Sequence, residues 1–200
     1  MSRAPAALGS EIDVSADGRR RRGQDNRARI VAAMLEIIQA GDLTPSAEQV
    51  AQRADVGLRT VFRHFQDMDS LFREMSVVIM GELQRAAETP FRSADWRERV
   101  VELVERRGWA FERVGPFLSA ATLIRRRSKY MDVDHARLVA ALREILEQQL
   151  PADVARDKTK LEALDLLLSF EAWSRLRREQ RLSAAQAQAT LEATVRRLLD

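Results

Sequence analysis

Apolar residues recur at helical spacing from about residue 25 to the end of this chain. No alternating β-branched run and no Asn-Gly hairpin signal interrupts them. A third observation is the stretch SAEQVAQRADVGLRTVFRHF, Ser46 to Phe65, which reads as two short helices joined by a tight turn. Together these predict an all-α protein: an N-terminal three-helix unit built around a helix-turn-helix, followed by a larger helical domain.

Residues 1–23 lack periodicity and are rich in Ala, Gly, Ser and charge, so they read as a disordered basic arm. The arm ends in Arg19, Arg20, Arg21 and Arg22. Four adjacent arginines on a flexible segment can track phosphates or reach into a narrow minor groove. Equally, they are a solvated tail that adds only non-specific attraction.

The first helix should start at Asp25 or Asn26, both good caps, and run to about Ala40, where Gly41 stops it. Ile30, Met34, Leu35, Ile37 and Ile38 give it a broad apolar face. Ser46 caps the next helix, and Gln49 three residues later completes a capping box. Asp55-Val56-Gly57 breaks the run, since Gly is free to take φ > 0 and Asp tolerates it. The third helix follows from about Leu58. Ile30, Met34, Ile38, Val50, Val56, Val61 and Phe65 should form a small core over residues 24–68, leaving Arg59, Thr60, Arg63 and His64 outside it. A second helix of this kind, with short and basic side chains outward, can enter a major groove.

The larger domain, residues 69–200, should open with a long helix from Asp69 to Glu88, closed by Pro90. Trp96 to Val114 is the next, ended by Gly115-Pro116; Phe117 to Arg127 is short, and Ser128 to Asp132 is a turn. Val133 to Leu150, Lys158 to Gln180 and Ser183 to Leu199 complete the set. Arg125-Arg126-Arg127-x-Lys129 is a second basic cluster, readable as a nucleic-acid patch or as a solvated helix end.

Of 200 residues, 46% are hydrophobic and 32% charged, enough for a core and a soluble surface. No apolar run approaches a membrane span, and no secretory h-region opens the chain, so we expect a cytoplasmic protein with no membrane partner. The absence of cysteine excludes disulfides, thiolate metal sites and a Cys nucleophile. No G-x-S-x-G, Gly-rich phosphate loop or H-E-x-x-H occurs, so an enzyme is not indicated, nor a cofactor. Asp132, Asp134 and His135 resemble a ligand cluster, but caps at a helix start explain the acids better, and no metal site is assigned. Net charge is +3, and its placement says more: residues 19–65 hold nine Arg against five acids, residues 66–200 hold 23 basic against 22 acidic. The excess lies on and just before the helix-turn-helix, as an electrostatic footprint for nucleic acid would.

The run from Arg29 to Leu71 resembles the DNA-binding domain of the tetracycline-repressor (TetR) family. That family has an Ile-Ala pair, then Ala-Gly-Val-Ser, then Tyr-x-His-Phe. Here stand Val50-Ala51, Ala54-Asp55-Val56-Gly57 and Phe62-Arg63-His64-Phe65. Three positions depart: Asp55 replaces Gly, Gly57 replaces a Ser or Thr cap, and Met68 replaces a phosphate-binding Lys. The last two bear on phosphate contacts, not on the fold. The resemblance implies a homodimeric transcriptional regulator, a repressor that binds a palindromic double-stranded DNA operator and leaves it when a small molecule enters the second domain. By matching positions, Ser46, Gly57, Leu58, Arg59, Thr60, Phe62, Arg63 and His64 are its DNA contacts, with Arg59 and Arg63 on base edges or nearby phosphates.

Met75, Ile79, Trp109, Phe117, Leu123 and Tyr130 are candidates to line an effector cavity between helices, and each is equally readable as core. Few charges interrupt these faces, so the expected effector is lipophilic or aromatic. Leu161, Leu164, Leu168 and Trp173, with Leu191 and Val195, form apolar stripes wide enough to face both a core and a second copy. Ala184, Ala185, Ala187, Ala189 and Ala193 would let helices approach closely. One thick monomer core is the alternative. Two rival functions remain: an all-α ligand carrier or helical-bundle enzyme with no DNA role, and a constitutive DNA-binding dimer without an effector.

Overall fold

A computed structural model describes residues 14–125 and 129–200; at 14–22, 82, 86 and 129–131 it describes the backbone alone. No strand occurs among the described residues. The first helix, α1, spans Val14–Gln39. It begins well before Asp25, because Arg is a good helix former and only Gly18 and Gly23 weaken the preceding segment. The arm expected over 1–23 is therefore helical from Val14, and residues 1–13 lie outside the described residues. α2 spans Ala47–Arg53 and α3 Leu58–His64. Of the seven core residues expected here, six are buried, and Val56 packs against them partly exposed.

α4, Met68–Ala87, starts on a reciprocal cap: the Ser70 N–H donates to Asp67 Oδ1 at 2.7 Å and the Asp67 N–H to Ser70 Oγ at 3.3 Å. Its buried Leu71, Phe72, Met75 and Ile79 join the helix-turn-helix core to that of the second domain in one continuous apolar cluster. α5 is a single helix, Trp96–Arg125, with Pro116 inside it. The expected stop at Gly115-Pro116 is absent for an energetic reason. An interior Pro costs about 3 kcal/mol. Val114, Phe117, Leu118 and Ala120 are buried around it, and full burial of one large apolar side chain offsets about 1.5–3 kcal/mol.

α6 spans Lys129–Glu147 and α7 is a short Ala152–Arg156 turn of helix after Pro151. Asp132 and Asp134 thus lie inside α6 rather than capping it; Asp132 is 3.8 Å from Arg125 and Asp134 is 3.5 Å from Arg137. No group of three metal-ligating side chains occurs among the described residues. In the second basic cluster, Arg126 and Arg127 lie outside the described residues.

The expected Lys158–Gln180 helix is broken. α8 covers Lys158–Leu167, and Ser169 then caps a new helix, α9, Phe170–Ser174, accepting the Ala172 N–H at 3.1 Å. A π-helical turn, Arg175–Glu179, follows and closes with Arg181 at φ 57°. The break lets α9 lie across α5. Trp173 and Phe170 sit where a Cβ on Gly108 would be 2.7 Å from the indole and one on Gly115 3.4 Å from the phenyl ring. Two glycines seven residues apart thus open one side of α5 to two aromatic rings. The last helix, α10, Ala184–Leu199, starts on a Ser183–Gln186 capping box and packs along α5.

Candidate nucleic-acid interface

The helix-turn-helix is assembled by caps and two arginines. The Gln49 N–H donates to Ser46 Oγ at 3.3 Å, and the Ser46 N–H donates to Gln49 Oε1 at 2.6 Å. Past Ala54 the chain turns at Asp55, whose φ of 51° is left-handed, a conformation Asp tolerates better than most residues. Gly57 does not need its freedom: it is extended, at φ −68° and ψ 146°, and opens α3 without a side-chain cap.

Arg29 reaches from α1 to donate to the carbonyls of Ala54 at 2.5 Å and Asp55 at 2.9 Å, which fixes the turn. Arg27 donates to the His64 carbonyl at 2.9 Å and forks onto Glu74 at 3.2 and 2.9 Å, with its guanidinium 4.5 Å from the Phe65 ring centre. Cations thus satisfy orphan carbonyls at the ends of both short helices, where the dipole favours them. Arg27 also ties α3 to α4, and its hydrogen bond holds the Glu74 carboxyl below its usual range. In the sequence these two arginines are only positive charge; nothing in the linear pattern separates them from Arg59 and Arg63.

What remains outward on α3 is two rows at i, i+4 spacing. Leu58 and Phe62 are 38% and 48% exposed. Arg59 and Arg63 are also exposed, and neither makes an ion pair or hydrogen bond among the described residues. Val61, between the rows, is buried. Thr60 is half-buried, with its N–H donated to the Gly57 carbonyl at 2.7 Å. Ser46 and Gly57 lie exposed at the two helix starts. His64 differs from the rest of the set: its Nε2 is buried with no hydrogen-bond partner among the described residues, and Cε1 lies 4.0 Å from a Cβ built on Gly23. Burial lowers its pKa, and Arg63 and Arg27 lower it further, so the ring is neutral at pH 7. The backbone of Arg19–Arg22 is part of α1, and their side chains lie outside the described residues.

Solved structures share this fold. A proposed transcriptional regulator from Streptomyces coelicolor A3(2) superposes with a TM-score of 0.60 at 23% identity, over 85% of this chain and 97% of its own. A TetR transcriptional regulator from Rhodococcus sp. RHA1 does so at 0.53 and 19% identity, over 90% and 97%. This chain has the TetR fold. At these identities the likeness is one of fold. No family model and no curated protein sequence matches it. No helix among the described residues is long and apolar enough to cross a membrane.

In the second domain of this TetR fold, the cavity lies between the helices expected to hold it but on other residues. A space of about 230 Å³ sits between α4, α5 and α6, walled by Leu83, Phe91, Leu103, Ala110, Leu138 and Ile145 among others. None of the expected lining residues borders it. Met75, Ile79 and Phe117 are packed into the core. Trp109 is 59% exposed beneath the Arg113 guanidinium, and Leu123 is 51% exposed. The Tyr130 side chain lies outside the described residues. Residue type predicts burial but does not tell a packed face from one that borders a void, and on α4 the void begins only at Met80.

The residues expected at a dimer contact are buried instead. Leu161, Leu164, Leu168, Trp173, Leu191 and Val195 are all buried inside the protomer, none more than 6% exposed. They close α8, α9 and α10 onto α5, so they are no contact surface. The outward side of α10 carries Ala185, Ala189 and Ala193, and α8 presents Leu166 at 66% exposure.

Proposed function

We propose that this protein is a homodimeric DNA-binding transcriptional regulator of the TetR type, acting as a repressor that a small molecule releases from a palindromic operator. The observation that carries the reading is the outward face of α3. Its two apolar side chains are partly exposed and its two arginines bond to nothing among the described residues, while Arg27 and Arg29 tie the ends of α3 and α2 to their neighbours. Arg can fork onto guanine or hold phosphate, and an apolar contact suits a thymine methyl. Phe62 has no hydroxyl to offer a phosphate, so its contact is apolar. The solved relatives add support, since the Rhodococcus protein is a TetR regulator.

Dimerisation would use the outward side of α10, where Ala185, Ala189 and Ala193 allow close approach, together with Leu166 of α8. Release would run through α4. Its first turn buries Leu71 in the core shared with the helix-turn-helix, Arg27 bridges its Glu74 to the His64 carbonyl of α3, and its later turns border the cavity with Met80 and Leu83. A ligand that shifts α4 in both protomers alters the spacing of the two reader helices against half-sites set by the DNA repeat. Emptying a nearly full operator needs a preference of roughly 10⁴-fold, about 5.5 kcal/mol.

The test is selection of a duplex from a random pool, followed by binding at rising salt. The affinity should fall log-linearly with salt, with a slope of about −0.9 per phosphate contact. Absence of salt-dependent duplex binding would remove the reading and leave a helical ligand carrier.

A further inference from the structure

We propose that the cavity between α4, α5 and α6 receives a small amphipathic acid whose carboxylate pairs with the guanidinium of Arg107. This rests on the effector reading above and names the chemistry of that effector.

Arg107 stands in the middle of α5 and is 6% exposed. Its Nη1 donates to the Leu168 carbonyl at 2.9 Å and its Nη2 to the Leu142 carbonyl at 2.5 Å. Its Nε is buried and donates to nothing among the described residues. A guanidinium has five N–H donors, and both acceptors it has found are neutral. The carboxylate that acts on it through space is Asp165. Asp165 already accepts from Arg143 at 3.2 Å, and Arg143 also binds Glu147 at 3.0 Å and Glu162 at 2.6 Å. Burial lowers the pKa of Arg107 to about 10, which still leaves a cation at pH 7. A buried cation without a bonded carboxylate is a costly arrangement, and an apolar side chain of similar volume is often no less stable. Its two hydrogen bonds hold the Leu168 and Leu142 carbonyls, but its positive charge has no bonded counter-ion among the described residues.

The neighbouring space supplies the rest of a receptor. Its walls are predominantly apolar, and among the described residues the charged ones that line it are Arg106 and Arg107. Arg106 is already engaged, with Glu102 at 2.6 Å and the carbonyls of Thr89 and Pro90 at 2.5 Å each. A buried cation bonded only to carbonyls thus borders an apolar cavity that no carboxylate lines among the described residues. A smaller adjoining space of about 90 Å³ also touches Arg107, but Asp165 and Glu171 line it, which disfavours an anion on that side. A volume of about 230 Å³ is below the roughly 300–1,000 Å³ of drug-sized sites. It suits a single-ring or medium-chain acid. The lipophilic or aromatic effector expected from the sequence then carries an anionic head on its apolar body.

The test is calorimetry of the full-length protein at pH 7 with hexanoate, octanoate and benzoate, each against its primary alcohol. At least one acid should bind saturably and at least tenfold tighter than its alcohol. Arg107→Met should abolish that preference. Ala141→Trp, which fills the cavity from an exposed lining position, should abolish binding of both. If Arg107→Met does not fold, the acid-to-alcohol ratio and the Ala141→Trp variant still decide. Equal affinity for acid and alcohol would overturn the proposal while leaving the cavity as an effector site, and so would failure of all three acids to bind. Adding the bound acid to the operator complex separates the two readings: binding without release keeps this proposal and removes the regulatory one.

Discussion

Four arginines near α3 have two different jobs, and single substitutions should separate them. Arg63 is exposed on the outward face of α3 and bonds to nothing in the described protomer. Arg63→Ala should leave the circular dichroism and Tm unchanged and weaken binding to the selected operator by about 1–3 kcal/mol. Affinity equal to wild type would reject α3 as the reader. Arg29 holds the carbonyls of Ala54 and Asp55. Arg29→Ala should lower stability by about 1 kcal/mol, because the lost bonds are charge-assisted but partly exposed. His64 supplies a pH signature. Its folded pKa lies below the unfolded value of 6.5, chiefly through burial. Between those two values the unfolded chain takes up a proton that the folded chain refuses. Its contribution to stability is therefore complete above pH 6.5 and is lost as pH falls through the folded value. An NMR titration of the His64 imidazole should give a midpoint under 6.5; one at or above it would contradict the buried ring.

At the scale of elements, the junction of α5 with α9 is the tightest fit described. Gly→Ala inside a helix ordinarily stabilises by about 1 kcal/mol. At Gly108 the added methyl would lie 2.7 Å from the Trp173 ring. That ring cannot easily yield, since it is 4% exposed and its Nε1–H donates to Glu112 at 2.8 Å. Overpacking typically costs 1–3 kcal/mol, so Gly108→Ala should destabilise on balance. A rise in denaturation midpoint would show that α9 is free to move. This junction also explains why the expected Lys158–Gln180 helix is broken. A run of leucines continues across Leu166-Leu167-Leu168, and local spacing favours one helix. Ser169, two residues before Glu171, was the available cap signal, but only the need to lay Phe170 and Trp173 across two glycines makes the chain use it.

For the whole molecule, pairing and switching are the testable properties. Sedimentation should give about twice the chain mass. Ala189→Arg, on the outward side of α10, should yield a folded monomer, whereas Leu191→Glu should unfold the protomer because Leu191 is only 6% exposed and an unpaired buried carboxylate is strongly unfavourable. A wild-type monomer at micromolar concentration would reject the dimer. If an effector loosens operator binding, linkage requires the operator to weaken effector binding by the same factor. Calorimetry with and without operator checks this, and equal affinities would leave the second domain without a switching role.

The sequence by itself determined the fold class, the capped helix start at Ser46, the outward Arg59 and Arg63 of α3 and most of the small core around Ile30 and Val61. Each is a local property: caps act within four residues, and helical period marks a face without reference to any partner. Only the tertiary structure decided which side of an apolar helix meets a void, which arginines are bonded, and that α8 to α10 close onto α5 instead of a second copy. Those outcomes depend on where other segments lie. An apolar stripe is equally satisfied by its own chain or by another, and an arginine is a surface charge or a buried one according to what packs over it. Arg107 shows the difference most plainly: in sequence it is one of two adjacent arginines in a charged run, and in the fold it is a buried cation held between three helices with its Nε unbonded among the described residues.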